Sequence, residues 1–259
     1  MTSILDNIYA AKRVEVRARR EALSPMAIVA EAGRAPKSRD FAAALRARRP
    51  AIIAEIKRAS PSKGDILPGL DPANVAREYV AAGAAAISVL TDVHFKGTLE
   101  DLRVVRAAVD VPVLRKDFIF DPYQVYEARA AGADCILLIA AMLKEGELRS
   151  LSALARELGM ATLVESHNAA EFALAQKVGA GLIGINNRDL HTFVTDIAVT
   201  ERLLAGYAGE ALIVAESGID SPDDIRRLDA AGARAFLIGE SLLKGAAPGA
   251  KLGELMRAL

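Results

Sequence analysis

An acid and a base stand two residues apart in the stretch IAEIKRASPSKG, residues 53–64: Glu55 and Lys57. The residues around them are apolar, so the stretch opens as a buried strand, and on a strand both side chains face the same way. Side by side, each can keep the other ionised, as proton-transfer chemistry requires of a buried pair. Other apolar runs end in the same manner. VPVLRK closes on Lys116, ATLVE on Glu165, GLIGIN on Asn186 with Arg188 two residues on, and ALIVAES on Glu216 and Ser217. Ammonium, carboxylate and amide groups together suit general acid–base catalysis and the stabilisation of a developing oxyanion. A charge at the end of an apolar strand is costly to desolvate unless it is paired or used. Any one of these residues could be a polar plug or the passage into a solvated loop. Five strands delivering such groups to one rim point to a site.

The elements that would bring them together are written in eight apolar runs: AIIAEIK (51–57), AAISVLT (85–91), VPVLRK (111–116), DCILLIA (134–140), ATLVE (161–165), GLIGIN (181–186), ALIVAES (211–217) and AFLIG (235–239). They are continuous rather than alternating, like parallel strands covered on both faces, and helical patterns separate them. Helices start at Asp71, Asp121, Asn168 and Ser221, three of them with proline next, and stop at Gly83, Gly132, Gly179 and Gly232. The stops fall roughly fifty residues apart, two strand–helix units per repeat. This predicts an α/β fold, a (β/α)8 TIM barrel over 51–259, with residues 1–50 as extra helices before the first strand, all in one domain of 1–259. Active sites of such barrels lie at the carboxyl ends of the strands, and phosphates often bind at the loops after strands seven and eight. Those loops read ESGIDSP (216–222) and IGESLLKG (238–245). There Gly218 and Gly239 would let backbone N–H groups approach an anion, with Glu240 alongside.

Composition sets limits on function. The chain of 259 residues is 52% hydrophobic and 25% charged, ample for a core. Its single cysteine, Cys135, cannot form an internal disulfide and reads as a small buried hydrophobe in a reducing compartment. No run reaches transmembrane length and the N-terminus lacks a signal pattern, so a soluble cytoplasmic protein with no membrane partner is expected. The net charge of zero hides eleven Lys/Arg against five Asp/Glu in residues 1–50. These are either solvated helices or a basic flap that attracts a small anion. Nucleic acid is not expected of a neutral chain with few aromatics. GAGLIG (179–184) matches a dinucleotide fingerprint letter for letter, yet it follows a helix and opens a strand, the reverse of what pyrophosphate binding needs. His94, His167 and His191 are scattered without metal-ligand spacing, so no metal is expected.

The motifs EIKRASPSKG, RKDFI, LVESH, INNRDL, AESGI and LIGESLL, in this order, resemble the indole-3-glycerol phosphate synthase family, from the N-terminal helices to about residue 245. AESGI and LIGESLL recur in other barrel enzymes of the same pathway; EIKRASPSKG, RKDFI and INNRDL are the specific ones. The resemblance implies conversion of 1-(2-carboxyphenylamino)-1-deoxyribulose 5-phosphate to indole-3-glycerol phosphate, CO2 and water in tryptophan biosynthesis, without metal or cofactor. It implies Lys116 as the acid at the sugar ketone and Glu55 with Lys57 for binding and later proton transfers. Glu165 would be a further carboxylate, Asn186 an orienting amide, and Arg188, Glu216 and Ser217 supports or substrate contacts. The phosphate would lie against Gly218 and Gly239, Ser60 and its SPSKG loop (60–64) would close as a lid, and Phe95 and Phe118 would wall the aromatic ring. The first fifty residues would cover the top of the barrel. Two features depart from the family pattern: TDVHFKG (91–97) runs one residue tighter around Phe95, and Ser166 replaces an aliphatic residue. Three alternatives compete. Phosphoribosylanthranilate isomerase needs a thiol at the end of strand one, where Cys135 does not lie. A Schiff-base aldolase could use Lys57 or Lys116. A non-catalytic sugar-phosphate sensor would need the phosphate end alone. The chain is expected to act as a monomer on a small sugar phosphate, with docking to another pathway enzyme left open.

Overall fold

The computed structural model describes residues 4–60, 64–65, 69–189, 192, 194–243 and 248–259. Three helices come first: α1 (Ile4–Ala22), α2 (Pro25–Arg34) and α3 (Phe41–Arg46). Strands and helices then alternate: β1 (Ala51–Ile56), α4 (Pro72–Ala81), β2 (Ala86–Leu90), α5 (Leu99–Ala108), β3 (Val113–Lys116), α6 (Pro122–Ala130), β4 (Cys135–Ile139), α7 (Glu145–Glu157) and β5 (Ala161–Ser166). The second half continues with α8 (Ala169–Lys177), β6 (Leu182–Asn186), α9 (Ala198–Leu204), β7 (Leu212–Glu216), α10 (Pro222–Ala231), β8 (Ala235–Ile238), α11 (Glu240–Leu243) and α12 (Pro248–Leu255). Each of the eight apolar runs holds a strand, shorter by at most two residues at an end except where β5 gains Ser166. β3 starts after Pro112, which has no N–H to give the ladder.

The eight strands pair in parallel and in chain order, and β1 closes the ring on β8. The helix punctuation works as expected. Asp71, Asp121, Asn168 and Ser221 each accept a hydrogen bond from the first turn of their helix. Gly83, Gly132, Gly179 and Gly232 turn the chain back with φ of 107°, 90°, 74° and 116°, a region that favours glycine. Side chains alternate across each strand. Ile52, Ile87 and Ile183 face outward to the helices, while Ile53, Leu114, Leu163 and Val214 fill the barrel. Cys135 is one of the inner residues and fully buried.

Among the described residues, the first fifty do not form a single cap over the top. α3 inserts Phe41 and Leu45 among Ala51, Ala85, Cys135 and Ala235, which stand at the strands' amino ends, so it closes the bottom of the barrel. α2 lies along α6 on the side. Among the described residues, α1 reaches the carboxyl end, where Lys12 meets Asp92 and Asp117 at 2.6 and 2.9 Å, just beyond β2 and β3. The basic excess of this segment is matched by acids of the barrel: Arg19 with Glu127 at 3.2 Å, Arg20 with Asp121 at 2.8 Å and Arg49 with Asp229 at 2.8 Å. These pairs dock the extension on the barrel rather than over an anion, although Arg20 and Arg49 keep much of their side chains in solvent. Among the described residues no helix is long and apolar enough to cross a membrane.

Candidate active site

Barrel interiors are filled in layers, each contributed by alternate strands. The uppermost layer here comes from the odd strands and is polar: Glu55 on β1, Lys116 on β3, Glu165 on β5 and Glu216 on β7. Lys116 Nζ lies 3.1 Å from Glu165 Oε2 and 3.6 Å from Glu216 Oε2. Lys57, one step above Glu55 on the same face, holds its Nζ 3.4 Å from Glu55 Oε1. All three glutamates are buried. The acid and base that stand side by side in the sequence are therefore an ion pair inside a shared mouth.

Space for this layer comes from small residues on the even strands. A Cβ on Gly184 of β6 would overlap Glu216 Oε1, and one on Gly239 after β8 would lie 2.5 Å from Glu55 Oε1. Gly184 is the last glycine of GAGLIG. Its role is room for a carboxyl group, and the segment indeed leaves α8 and enters β6, so the dinucleotide reading fails on polarity. Gly239 likewise makes way for Glu55 besides standing at the start of α11. On β2, Ser88 pairs directly with Glu55 and its buried hydroxyl has no hydrogen-bond partner among the described residues.

The charges in the layer are uneven. Burial disfavours the Lys116 ammonium, but Glu165, Glu216 and Glu55 overcome this and hold its pKa above the ordinary lysine value. Burial would raise Glu165; Lys116 and His167 override it and keep Glu165 below the usual carboxylate range. Glu216 goes the other way. Burial and repulsion from Glu165 push it up to about 8 against the pull of Lys116, so it carries a proton at neutral pH. Its Oε1 has no hydrogen-bond partner among the described residues. The mouth thus holds a firmly protonated amine, an ionised carboxylate and a neutral carboxylic acid within a few ångströms.

Amides and hydroxyls complete the rim. Asn186 Nδ2 donates to Glu165 Oε1 at 3.3 Å, and Ser217 Oγ donates to Asn186 Oδ1 at 2.9 Å. Ser217 adopts φ 66°, a left-handed conformation that costs a non-glycine residue energy. Asn187, whose side chain points away from the mouth, donates to the Ser217 carbonyl at 3.1 Å and accepts from Thr200. It anchors the strained turn from behind. Arg188 pairs with Glu240 across the top at 3.2 Å, and its Nε is buried without a hydrogen-bond partner among the described residues. Gly218 has φ 77°, and a Cβ there would strike the Thr195 side chain.

Of the remaining expected residues, Phe118 packs against the inner core below the mouth. Phe95 is half-buried on a single 3-10 turn, Val93–Phe95, beside the short strand Ala59–Ser60. The tight form of 91–97 follows from Gly97, which bonds back to Asp92 and has no room for a side chain against Leu90. Ala59–Ser60 pairs antiparallel with Gly64–Asp65. The Ser60 side chain and Pro61–Lys63, expected to form a lid, lie outside the described residues, as does His191. Ser166 fits its position because its hydroxyl donates to the Gly184 carbonyl at 2.8 Å, an added tie between β5 and β6.

Sequence reasoning passed over three contributors. His167 lacks metal-ligand spacing, yet its two-residue spacing from Glu165 signals the same strand face; its Nε2 lies 3.2 Å from Glu165 Oε1. Asn187 was hidden beside Asn186, which alternation sends to the other side. Arg115, adjacent to Lys116 but facing outward, is fully buried and bonds Thr91, Asp117 and the Gln124 carbonyl. Nothing in a lone sequence marks an arginine in an apolar strand as internally paired.

Comparison with known proteins agrees with this architecture. The model of the family described as "Indole-3-glycerol phosphate synthase" matches residues 5–255. A protein of that name from an Azoarcus species is 51% identical over 263 residues, covering 98% of this chain and 99% of the relative. One from Albidiferax ferrireducens is 46% identical over 260 residues, covering 98% of each. Among solved structures, a thiamine phosphate pyrophosphorylase from Pyrococcus furiosus superposes with a TM-score of 0.60 at 16% identity, covering 80% of this chain and 94% of that one. An N-acetylmannosamine-6-phosphate 2-epimerase from Clostridium perfringens gives 0.59 at 14%, covering 74% and 86%. At such identities the last two speak for the fold alone.

Proposed function

This chain belongs to the indole-3-glycerol phosphate synthase family, and on that premise we propose that the odd-strand layer performs its ring closure, decarboxylation and dehydration, with Lys116 as the first acid. The protein is a carbon–carbon lyase that makes indole-3-glycerol phosphate from 1-(2-carboxyphenylamino)-1-deoxyribulose 5-phosphate in tryptophan biosynthesis. The observation that supports the residue assignment is the half-buried Lys116 ammonium, with Nζ 3.1 Å from the ionised Glu165 and 3.6 Å from Glu216 in the odd-strand layer.

The aromatic carbon bearing the carboxylate attacks the sugar ketone, and negative charge grows on the ketone oxygen. An alkoxide is more basic than any amine, so even a lysine of raised pKa gives it a proton downhill while its charge steadies the oxygen before transfer. Loss of CO2 then restores the aromatic ring. Dehydration must remove the new hydroxyl and one hydrogen from the adjacent methylene carbon. Lys57, in its pair with Glu55, is placed to protonate the leaving hydroxyl, and the ionised Glu165 to take the carbon-bound proton. Neutral Glu216 serves as a hydrogen-bond donor to the same oxygen. Asn186, oriented by Ser217, would hold the substrate's hydroxyl and amine groups, and the buried Nε of Arg188 would meet its carboxylate. The phosphate would lie by Gly218, Gly239 and Glu240, with Phe95 and Phe118 beside the ring. The layer is assembled within one chain, so this reading needs no partner subunit and takes the protein as a cytoplasmic monomer.

A Schiff-base mechanism would need a neutral lysine amine as nucleophile, and the carboxylates around Lys116 oppose that state. Incubation with the carboxyphenylamino sugar phosphate tests the assignment: indole absorbance, one CO2 per turnover and no borohydride-trapped adduct are expected. A trapped adduct on Lys116 or Lys57 would overturn it.

A further inference from the structure

His167 has no part in the chemistry just described, yet it is buried between two carboxylates. Its Nε2 lies 3.2 Å from Glu165 Oε1 and its Nδ1 3.0 Å from Glu171 Oε2. Glu171 is itself fixed. It accepts the His167 backbone N–H at 2.8 Å and the Asn168 amide at 2.6 Å, at the capped start of α8. A neutral imidazole has one N–H and one lone pair, so in this clamp it would turn a lone pair toward carboxylate oxygens. Nδ1 hydrogen-bonds Glu171, whereas Nε2 has no hydrogen-bond partner among the described residues and faces Glu165 Oε1 at ion-pair distance, a setting that the doubly protonated ring suits best.

Glu165 therefore has a cation on each oxygen, Lys116 at Oε2 and His167 at Oε1, with the Asn186 amide also on Oε1. Among the described residues, Glu216 has Lys116 as its one cation, at the longer distance of 3.6 Å. We propose that His167 is a positioning residue that keeps Glu165 ionised and in place, and thereby leaves the shared proton of the two buried carboxyls on Glu216. Burial opposes the imidazolium, but the adjacent Glu165 and Glu171 carboxylates raise the His167 pKa to about 10. The inference rests on the catalytic reading for its consequence, though the ring's charge can be measured without turnover.

Two measurements on the whole chain test it. Nitrogen NMR of 15N-histidine protein, with the ring assigned through His167→Gln, is expected to report an imidazolium from about pH 6 to 9. The second is the pH profile of kcat for parent and His167→Gln. Groups facing Glu165 are Lys116, Glu216, Asn186 and His167; those facing His167 are Glu165 and Glu171. With the imidazolium gone, Glu165 protonates more readily, so the acid limb of kcat should move up by about one pH unit or more while KM changes little. A neutral His167 ring at pH 8, or an acid limb that stays put in the variant, overturns the proposal. Failure of the parent to make indole would instead overturn the catalytic reading and leave the NMR result standing.

Discussion

Gly184→Ala tests whether the polar layer is held by space as well as charge. The new methyl would overlap Glu216 Oε1 and sit 3.4 Å from both the Glu216 Cδ and the Glu165 Cα. Relief requires the Glu216 carboxyl to retreat by roughly 1 Å, toward Lys116 or out of the layer, and misplacement on that scale costs about 100-fold in a catalytic site. Stability should suffer less, by about 1–3 kcal/mol, the usual cost of one extra carbon in a packed interior. The assay is steady-state indole formation together with urea unfolding. kcat should fall by around two orders of magnitude with KM within about threefold. If kcat stays within threefold of the parent, Glu216 is not part of the reacting constellation and the glycine is merely tolerated there.

Lys12→Met leaves Asp92 and Asp117 buried without the amine between them, which should cost roughly 3–5 kcal/mol in urea unfolding. Lys251→Met, on the partly exposed pair with Glu254, should cost less than about 1 kcal/mol; equal losses would deny the docking role of α1. Glu216 has its pKa raised from 4.5 to about 8, so the folded state keeps a proton that the unfolded chain releases. That stability is complete below the unfolded value and drains away as pH rises toward 8. Glu216→Gln removes the drain, so unfolding free energies should shift in the variant's favour by up to roughly 1.4 kcal/mol per pH unit across the window; a gap independent of pH contradicts a neutral Glu216. Ser217→Gly relieves the left-handed strain but frees the unfolded chain, so stability should change by less than about 1 kcal/mol. kcat should nonetheless drop, because Asn186 loses the hydroxyl that fixes its amide; full activity would show that Ser217 only shapes the turn.

The barrel was legible because its signals are local. Continuous apolar runs, Asp-Pro and Ser-Pro helix starts and glycine stops each act within a few residues, and every expected strand and capping site is present. The rim residues were legible because a charge ending an apolar strand is conspicuous. What stayed hidden depends on pairing across the chain. Part of the Lys and Arg excess in the first fifty residues pairs with distant acids: Lys12, Arg19 and Arg20 meet Asp92, Asp117, Glu127 and Asp121, up to 108 residues away, while Arg13, Arg17 and Arg48 stay in solvent. The sequence excludes a nucleotide loop at Gly184 but does not say what the glycine is for, since that depends on the Glu216 carboxyl of the neighbouring strand. His167 lay in plain view in LVESH, but its meaning requires Glu171, one turn into the next helix.

The decisive measurement is the single-turnover rate of indole formation by Lys116→Met beside the parent, with substrate binding followed in the same samples. If Lys116 is the acid that starts the reaction, the variant binds substrate and its rate falls by roughly 1,000-fold or more. A variant that binds substrate and forms indole within tenfold of the parent rate would place the first proton elsewhere and contradict the role of the odd-strand layer.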